Sequence, residues 1–380
     1  MPEPMESREA ARNPRNIDRM LNAIGYLVGY EEAPEKWGVT VHDTGRAQAG
    51  LNLYSSGQKA VLMDMAGTVQ HQWQYDFHAA FPEYPNSRRH PTNAWRRVHL
   101  LKDGSLLAIY DGTGMIKLNK NSELIWANPV WFHHDLFVDE NGNILTLSRE
   151  SRVIPRYHKT ERILEDFVVV VDPKGKEVSK FSLLTALEES LSTSVLRETG
   201  RHGDILHTNT IEMFDGTRAH RSPLFKKGNL LVSFRNLSVI AIVDPTIRKV
   251  VWSLTGQWAR QHQPTLLANG NMLLFDNIAH EGMSKVIEFD PFTQEIVWGY
   301  YGDQVNGFYS YSAGSCQRLA NGNTLITESN AGRAFEVTPE NEIVWEYYNP
   351  DRVGKDEGVI GTLFEMLRLD PGFPTEWIAG

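Results

Sequence analysis

Apolar and polar residues alternate along much of the chain, and short turns interrupt the alternation at regular intervals. Successive side chains of a β-strand point to opposite faces, so this period of two predicts strands. Five pairs of such strands are joined by Asp-Gly, Asn-Gly or Lys-Gly, residues that accept the positive φ of a tight hairpin turn. The predicted hairpins cover residues 96–111, 133–150, 222–236, 261–277 and 314–329.

A second pattern accompanies these hairpins. It is a turn followed by a strand of alternating apolar and polar residues that ends at an aromatic residue. The closing residues are Trp73, Trp126, Trp252, Trp298 and Trp345, with Lys180 at the remaining position. Their spacing is about fifty residues apart from one longer step, and four strands at that period are typical of a propeller blade. The sequence therefore predicts an all-β fold, a six-bladed β-propeller.

Two segments depart from the repeat. Residues 182–204 carry apolar residues at helical spacing, which predicts a helical insertion standing outside the propeller. Residues 50–73 supply only the outer strands of one blade, whose innermost strand comes either from residues 361–370 or from residues 38–43. We favour residues 361–370, because joining the two chain ends in one blade removes exposed sheet edges. Residues 1–37 are predicted to form a short N-terminal extension and residues 38–380 the propeller.

Composition narrows the possible partners. The 380 residues are 41% hydrophobic and 22% charged, with a formal net charge of −9 and no dense basic stretch, so nucleic acid is not an expected partner. No apolar run is long enough to span a membrane, and the N-terminus lacks the apolar core of a signal peptide. The chain as written is therefore expected to be cytoplasmic. The single Cys316 permits either redox compartment, and the oligomeric state is left open.

The shared phase of the hairpins predicts a ring of side chains. The first strand of each blade lines the central channel of a propeller, so residues at one phase surround its axis. Eight residues before the turn glycines stand Arg96, His134, His262 and Gly314. In the stretched third repeat the channel strand is predicted at residues 204–214, which contain His207 and Asn209.

A second ring is predicted at the end of the next strand. Seven residues after the glycines stand Asp111, Arg149, Arg235, Asn277 and Ser329. Convergent polar side chains in the mouth of a closed β-structure indicate a binding site. Because the set is rich in groups that hold an anion, the expected ligand is a small anionic molecule.

The chain resembles the bacterial arylsulfotransferase (aryl-sulfate sulfotransferase) family in four segments: HTNT, SFRNLSVIAIVDP, QHQPTLLANGNMLLFDN and RLANGNTLITESNAGRAFEVTPENEIVWEY. The resemblance covers residues 38–350. It implies a six-bladed propeller that moves sulfuryl groups between phenols without a nucleotide cofactor (PAPS-independent), and therefore an anionic or aromatic substrate. Members of this family are often periplasmic.

The resemblance also implies roles for individual residues. The family's channel histidine in a His-x-Asn setting matches His207 with Asn209, and its histidine after a glutamine matches His262. Where the family has an arginine shortly after that second histidine, this chain has His280. The family's covalently sulfated histidine has no counterpart in residues 306–319, where Tyr309 and other polar residues stand instead.

We therefore expect an arylsulfotransferase-like enzyme without a cofactor. The expected catalytic residues are His207, His262, His280 and Arg235. His262 is the first candidate nucleophile and His207 the second. The expected substrate-binding residues are His134, Asn209, Arg96, Arg149, Asn277 and Tyr309. Cys316 stands near Arg318, which favours an activated thiol, but a small residue on an inner strand is more often packed.

Other functions fit the same ring. A metal-dependent lyase or hydrolase would use His134, His207 and His262 as ligands of a divalent metal ion. A non-catalytic propeller would bind a small molecule without turnover. A quinoprotein dehydrogenase is disfavoured, because the adjacent cysteine pair of many such enzymes is impossible with one cysteine.

Overall fold

The computed structural model describes residues 31–84, 94–198, 200, 202–280, 282–302, 307–353 and 358–378. Its strands form the six blades of a β-propeller, as predicted. Strand β1 spans Gly38–His42, and blade I contains β2 (Asn52–Ser56), β3 (Lys59–Met63) and β4 (Val69–Gln74). Blade II contains β5 (Trp95–Leu100), β6 (Leu106–Tyr110), β7 (Gly114–Leu118) and β8 (Leu124–Asn128). Blade III contains β9 (Phe132–Val138), β10 (Ile144–Val153), β11 (Arg162–Val171) and β12 (Glu177–Ser182).

The remaining strands complete the ring. A short β13 (Gly203–Asp204) precedes blade IV, which contains β14 (Thr208–Met213), β15 (Leu230–Phe234), β16 (Val239–Asp244) and β17 (Lys249–Thr255). Blade V contains β18 (His262–Leu266), β19 (Met272–His280), β20 (Met283–Phe289) and β21 (Ile296–Tyr301). Blade VI contains β22 (Ser315–Arg318), β23 (Thr324–Glu328), β24 (Arg333–Val337) and β25 (Ile343–Tyr348). The chain ends with β26 (Arg352–Val353), β27 (Val359–Ile360) and β28 (Met366–Arg368).

Helices are few and short among the described residues. The α-helices are α1 (Phe77–Ala80) and α2 (Leu183–Glu188), and the 3₁₀ helices are Thr193–Glu198, Pro223–Phe225, Arg235–Leu237 and Glu376–Ile378. None of the helices in this part of the chain is long and apolar enough to cross a membrane.

Both chain ends close the ring, but in different blades. β28 pairs with β2 and is the innermost strand of blade I, so the favoured C-terminal closure is confirmed. β1 instead pairs with β25 and adds a fifth strand to the outer edge of blade VI. The outer edge of blade VI is therefore covered by the N-terminal strand.

The tryptophans at the strand ends join neighbouring blades. Each lies on the fourth strand of its blade counted from the channel, and several donate an indole hydrogen bond to a turn of the next blade. The donor–acceptor pairs are Trp73 Nε1 with the carbonyl of Gly104 (3.0 Å), Trp126 with Pro173 (3.2 Å), Trp298 with Pro339 (2.9 Å) and Trp345 with Met65 (2.9 Å). These residues thus serve packing between blades.

The predicted helical insertion is present and packs against the propeller. Helix α2 begins after Ser182, whose hydroxyl accepts a hydrogen bond from the Thr185 backbone N–H at 3.0 Å. Leu183, Leu184 and Leu187 are fully buried in a core shared with blades III and IV. The apolar face of the helix accounts for this docking.

Candidate active site

The innermost strands of blades III, IV and V share an irregularity at one end of the channel. The register of β9 against β10, of β14 against β15 and of β18 against β19 shifts near the start of the inner strand. Backbone φ is +58° at His134, +49° at His207 and +45° at Gln263. A left-handed residue at a bulge re-aims the side chains around it. These bulges, and not strand alternation alone, orient the channel histidines.

Four predicted residues line one small cavity of about 10 Å³ at this end of the channel. It is lined by Arg96, Arg97, His134, Asp135, Asn209, Thr210, His262, Gln263, Gly314, Phe364 and Glu365. His207 is adjacent, since its ring centre lies 4.8 Å from that of His134. The lining combines imidazoles, guanidinium groups and carboxylates.

Hydrogen bonds determine which nitrogen of His262 carries the proton. Asn277 donates through Nδ2 to the carbonyl oxygens of Ser310 (2.8 Å) and Ala313 (2.5 Å), so its Oδ1 faces His262. The Nδ1 atom of His262 lies 2.7 Å from this Oδ1 and 3.1 Å from the carbonyl oxygen of Arg260. Because both are acceptors, Nδ1 carries the hydrogen. Nε2 therefore presents its lone pair, and it is buried without a hydrogen-bond partner among the described residues.

The surroundings keep His262 neutral. Burial is the main cause that holds the pKa of its imidazole well below the ordinary 6.5, and the positive charges of Arg235 and Arg96 lower that pKa further. A neutral imidazole with an available lone pair is the form that attacks an electrophile.

Arg235 is a second buried guanidinium whose charge acts on His262, although it is not among the described residues that line the cavity. It follows β15 directly, and its Nη1 donates to Asn236 Oδ1 at 3.0 Å. Its Nε is buried without a hydrogen-bond partner within the described residues. Across the channel, the Arg96 guanidinium lies 4.8 Å from the ring centre of Phe364. Buried guanidinium donors of this kind hold sulfonate, phosphate or carboxylate oxygens.

His207 forms a dyad with Asp204. Its backbone N–H donates to Asp204 Oδ1 at 3.0 Å, and its Nδ1 is hydrogen-bonded to the other carboxylate oxygen. Burial opposes ionisation of Asp204, but the charges of His207 and Arg149 and the hydrogen bond together lower its pKa. An ionised Asp204 accepts a hydrogen bond from Nδ1–H, so Nε2 is the nitrogen of His207 that would accept a proton in a reaction.

Arg149 stands behind the dyad. Its Nε donates to Asp166 Oδ1 at 3.2 Å, and the Thr208 backbone N–H donates to Asp166 Oδ2 at 2.7 Å. Asp166 therefore ties blade III to the strand that carries His207. Arg149 is not among the described residues that line the cavity, so its predicted contact with substrate stays a prediction.

The predicted asparagines make structural hydrogen bonds. Asn209 Nδ2 donates to the carbonyl oxygen of Gln261 at 2.8 Å and so links blades IV and V. Asn277 is fully buried behind His262, which favours a positioning role over a contact with substrate.

Three further candidates lie elsewhere. His280 ends β19 and its side chain is outside the described residues, so its role stays a prediction. Tyr309 is half-buried, its backbone N–H donates to Glu328 Oε1 at 2.8 Å, and it is not among the described cavity-lining residues. Cys316 is buried, and burial raises the pKa of its thiol, which leaves it protonated and unreactive.

The histidines proposed as alternative metal ligands do not form a close ligand group. Within the described ranges, the three residues whose potential ligand atoms lie within 4.8 Å of one another are Asp111, His133 and His134. His207 and His262 are not in that group.

The acidic partners of the histidines were not predicted from the sequence. Asp204 stands three residues before His207, a local spacing that was visible. Asp166 lies inside the apolar strand β11, and a carboxylate there signals a buried partner. A third carboxylate, Asp135, binds Arg97 Nε at 2.8 Å in the floor of the cavity.

Comparisons with known proteins give a family match and several similar structures. Residues 97–350 match the family model described as arylsulfotransferase (ASST). A structure of a protein of unknown function from Bacteroides caccae is similar with a TM-score of 0.53 at 15% identity, covering 84% of this chain and 98% of that chain. The Cps50 (Swd1) β-propeller domain from Myceliophteria thermophila gives a TM-score of 0.47 at 11% identity, covering 89% and 99%. No curated protein matched the sequence.

Proposed function

Because the chain belongs to the arylsulfotransferase family, we propose that its channel site transfers a sulfuryl group from an aryl sulfate, or a related anionic ester, to an acceptor hydroxyl. One observation carries this proposal: the buried, neutral Nε2 lone pair of His262 lies in the electrostatic field of the Arg235 and Arg96 guanidinium groups.

The arginines support recognition of the sulfate. Arg235 Nε is a buried donor, and Arg96 lines the same cavity as His262. Sulfuryl transfer needs in-line positioning and donors on the equatorial oxygens, as phosphoryl transfer does. Arg235 and Arg96 would hold those oxygens while the ester bond points away from His262.

His262 would act as the nucleophile. Its Nε2 lone pair forms the bond to sulfur as the bond from sulfur to the phenol oxygen breaks, and the electron pair leaves on that oxygen. The phenolate then takes a proton from solvent. In the second half-reaction the acceptor hydroxyl gives its proton to His207, its oxygen bonds to sulfur, and the bond from sulfur to Nε2 breaks. His207 then releases the proton to solvent. Asp204 keeps His207 in the orientation for these proton transfers.

A rate assay with 4-nitrophenyl sulfate and phenol tests this proposal. His262→Ala should lower the transfer rate at least about a hundredfold, since it removes the attacking atom from a preorganised anion site. His220→Ala is the matched control, because His220 is exposed on a turn and bonded only to the carbonyl of Thr217 among described contacts. Far-UV circular dichroism verifies that both variants fold.

Wild-type protein that binds aryl sulfates yet neither transfers nor releases sulfate would contradict the proposal and support a non-catalytic binding propeller. Full activity in His262→Ala would remove His262 as the nucleophile. In an acceptor-free reaction, mass spectrometry should find one SO₃ group on the peptide that contains His262.

A further inference from the structure

Three potential metal ligands meet where blades II and III adjoin. Asp111 follows β6, and His133 and His134 lie near the start of β9. One ligand atom from each lies within 4.8 Å of the other two. Both histidines are buried, and Asp111 is mostly buried.

The bulge in β9 creates this arrangement. Adjacent residues of a regular strand point to opposite faces, but the left-handed φ of +58° at His134 breaks the alternation. As a result, Nδ1 of His133 lies 2.9 Å from Nδ1 of His134. The His134 backbone N–H donates to Asp111 Oδ1 at 3.2 Å, and His134 Nδ1 lies 3.7 Å from the same oxygen.

These distances suit a divalent transition metal. Zn²⁺ lies about 2.0–2.1 Å from imidazole nitrogen, and tetrahedral coordination then separates ligand atoms by about 3.4 Å. The observed separations of 2.9 and 3.7 Å fall on either side of that value. Two imidazoles and one carboxylate form a known ligand set for zinc and other first-row divalent ions.

A carboxylate faces the second ring nitrogen of His133. The Nε2 atom of His133 lies 3.5 Å from Asp166 Oδ1, without hydrogen-bond geometry. Metal-binding histidines direct their second ring nitrogen to a carboxylate, which sets the tautomer and the ring orientation. With its hydrogen on Nε2, His133 presents the Nδ1 lone pair to the place where Asp111 and His134 converge. Arg149 and the Thr208 backbone N–H hold Asp166 in position.

We propose that Asp111, His133 and His134 bind one divalent transition-metal ion, zinc in preference, through Asp111 Oδ1 and the two Nδ1 atoms. Three protein ligands leave coordination positions for water or for an anion that enters the channel. This ligand set differs from the trio of channel histidines considered from the sequence. The proposal does not depend on sulfuryl transfer, because it can be tested by measuring whether the protein binds the metal ion alone.

Chelator-treated full-length protein should bind one Zn²⁺ per chain in isothermal titration calorimetry, and Co²⁺ should give the visible absorption of a low-coordinate site. Asp111→Asn should weaken binding at least about tenfold, since loss of a charged ligand removes a metal bond. Asn retains an oxygen that accepts the His134 N–H, so this variant should fold. His133→Gln should abolish binding, with folding checked by circular dichroism.

Two matched variants separate this proposal from the proposed function. His262→Ala should lose transfer activity but bind zinc like wild type, and Asp103→Asn, in the turn after β5, should bind zinc like wild type. Absence of zinc and cobalt binding by wild-type protein would overturn the metal site. Unchanged zinc affinity in Asp111→Asn would also overturn the metal site, whatever the zinc affinity of His133→Gln.

Discussion

At the residue scale, the chemistry of His262 depends on Asn277. Two backbone carbonyls orient the Asn277 amide, and the amide oxygen then selects the Nδ1–H tautomer of His262. The lone pair is thereby placed on Nε2, in the electrostatic field of Arg235. His262 supplies the attacking nitrogen, and Asn277 determines which of its two ring nitrogens that is.

Replacing Asn277 tests this coupling through the pH dependence of transfer. The wild-type pKa of His262 lies well below 6.5 because of burial and the charges of Arg235 and Arg96, and transfer needs the neutral ring. Loss of activity through protonation of His262 should therefore occur only below that pH. In Asn277→Asp a carboxylate faces Nδ1–H, stabilises the imidazolium and raises the pKa, so activity should be lost at a higher pH as the solution is acidified.

The measurement is the pH profile of kcat/KM for 4-nitrophenyl sulfate. Asn277→Ala is the control: it removes the hydrogen bond without adding a charge, so kcat should fall about tenfold or more while the acid limb does not move upward. Superimposable acid limbs in wild type and Asn277→Asp would show that Asn277 does not tune His262.

At the element scale, the short strand β28 is held by one buried side chain. Arg368 Nε donates to Asn52 Oδ1 at 2.6 Å, its Nη1 donates to Glu336 Oε2 at 3.0 Å, and its guanidinium lies 5.2 Å from the ring centre of Trp345. Arg368 and Glu336 are both fully buried. A three-residue strand has few ladder bonds, so this side chain carries much of its attachment.

Arg368→Ala should lower the free energy of unfolding by roughly 3–5 kcal/mol, because it leaves the Glu336 carboxylate buried without its cation. Urea unfolding followed by circular dichroism measures the change. Lys227→Ala, which breaks the exposed pair with Glu140, should leave the midpoint nearly unchanged, since water screens such pairs. Equal midpoints for Arg368→Ala and wild type would contradict the assigned role of Arg368.

At the scale of the whole molecule, the propeller closes through both ends of the chain. The C-terminal β28 completes blade I from inside, and the N-terminal β1 covers blade VI from outside. Blade I holds its innermost strand only through this long-range pairing. Contacts across the ring therefore depend on residues that are far apart in sequence.

Ending the chain at Ile360 should abolish the cooperative thermal transition and cause aggregation, because the innermost strand of blade I is lost and β2 becomes an open edge. Ending it at Asp370 keeps β28 and removes the Trp377 contact with Trp73, so this chain should stay cooperative with a lower midpoint. Thermal circular dichroism and size-exclusion chromatography distinguish the two. A cooperative, monodisperse chain ending at Ile360 would refute closure by β28.

The repeat, and with it the fold, can be derived from the sequence alone. Asn-Gly and Asp-Gly turns between alternating strands are local signals, and the spacing of Trp126, Trp298 and Trp345 counts blades without knowledge of their arrangement. The phase of His134 and His262 within the repeat also placed both on channel strands, since equal phase implies equal position in every blade.

The chemistry available to those residues depends on their three-dimensional surroundings. The hydrogen on His262 depends on Asn277 and on two carbonyls of the following loop, and the ionisation of Asp204 depends on Arg149, which stands far before it in the chain. Likewise, the bulge at His134 turns two adjacent histidines toward Asp111, which strand alternation does not predict. Tautomers, pKa values and metal geometry are set by distances across blades, because burial and neighbouring charges act through space and not along the chain.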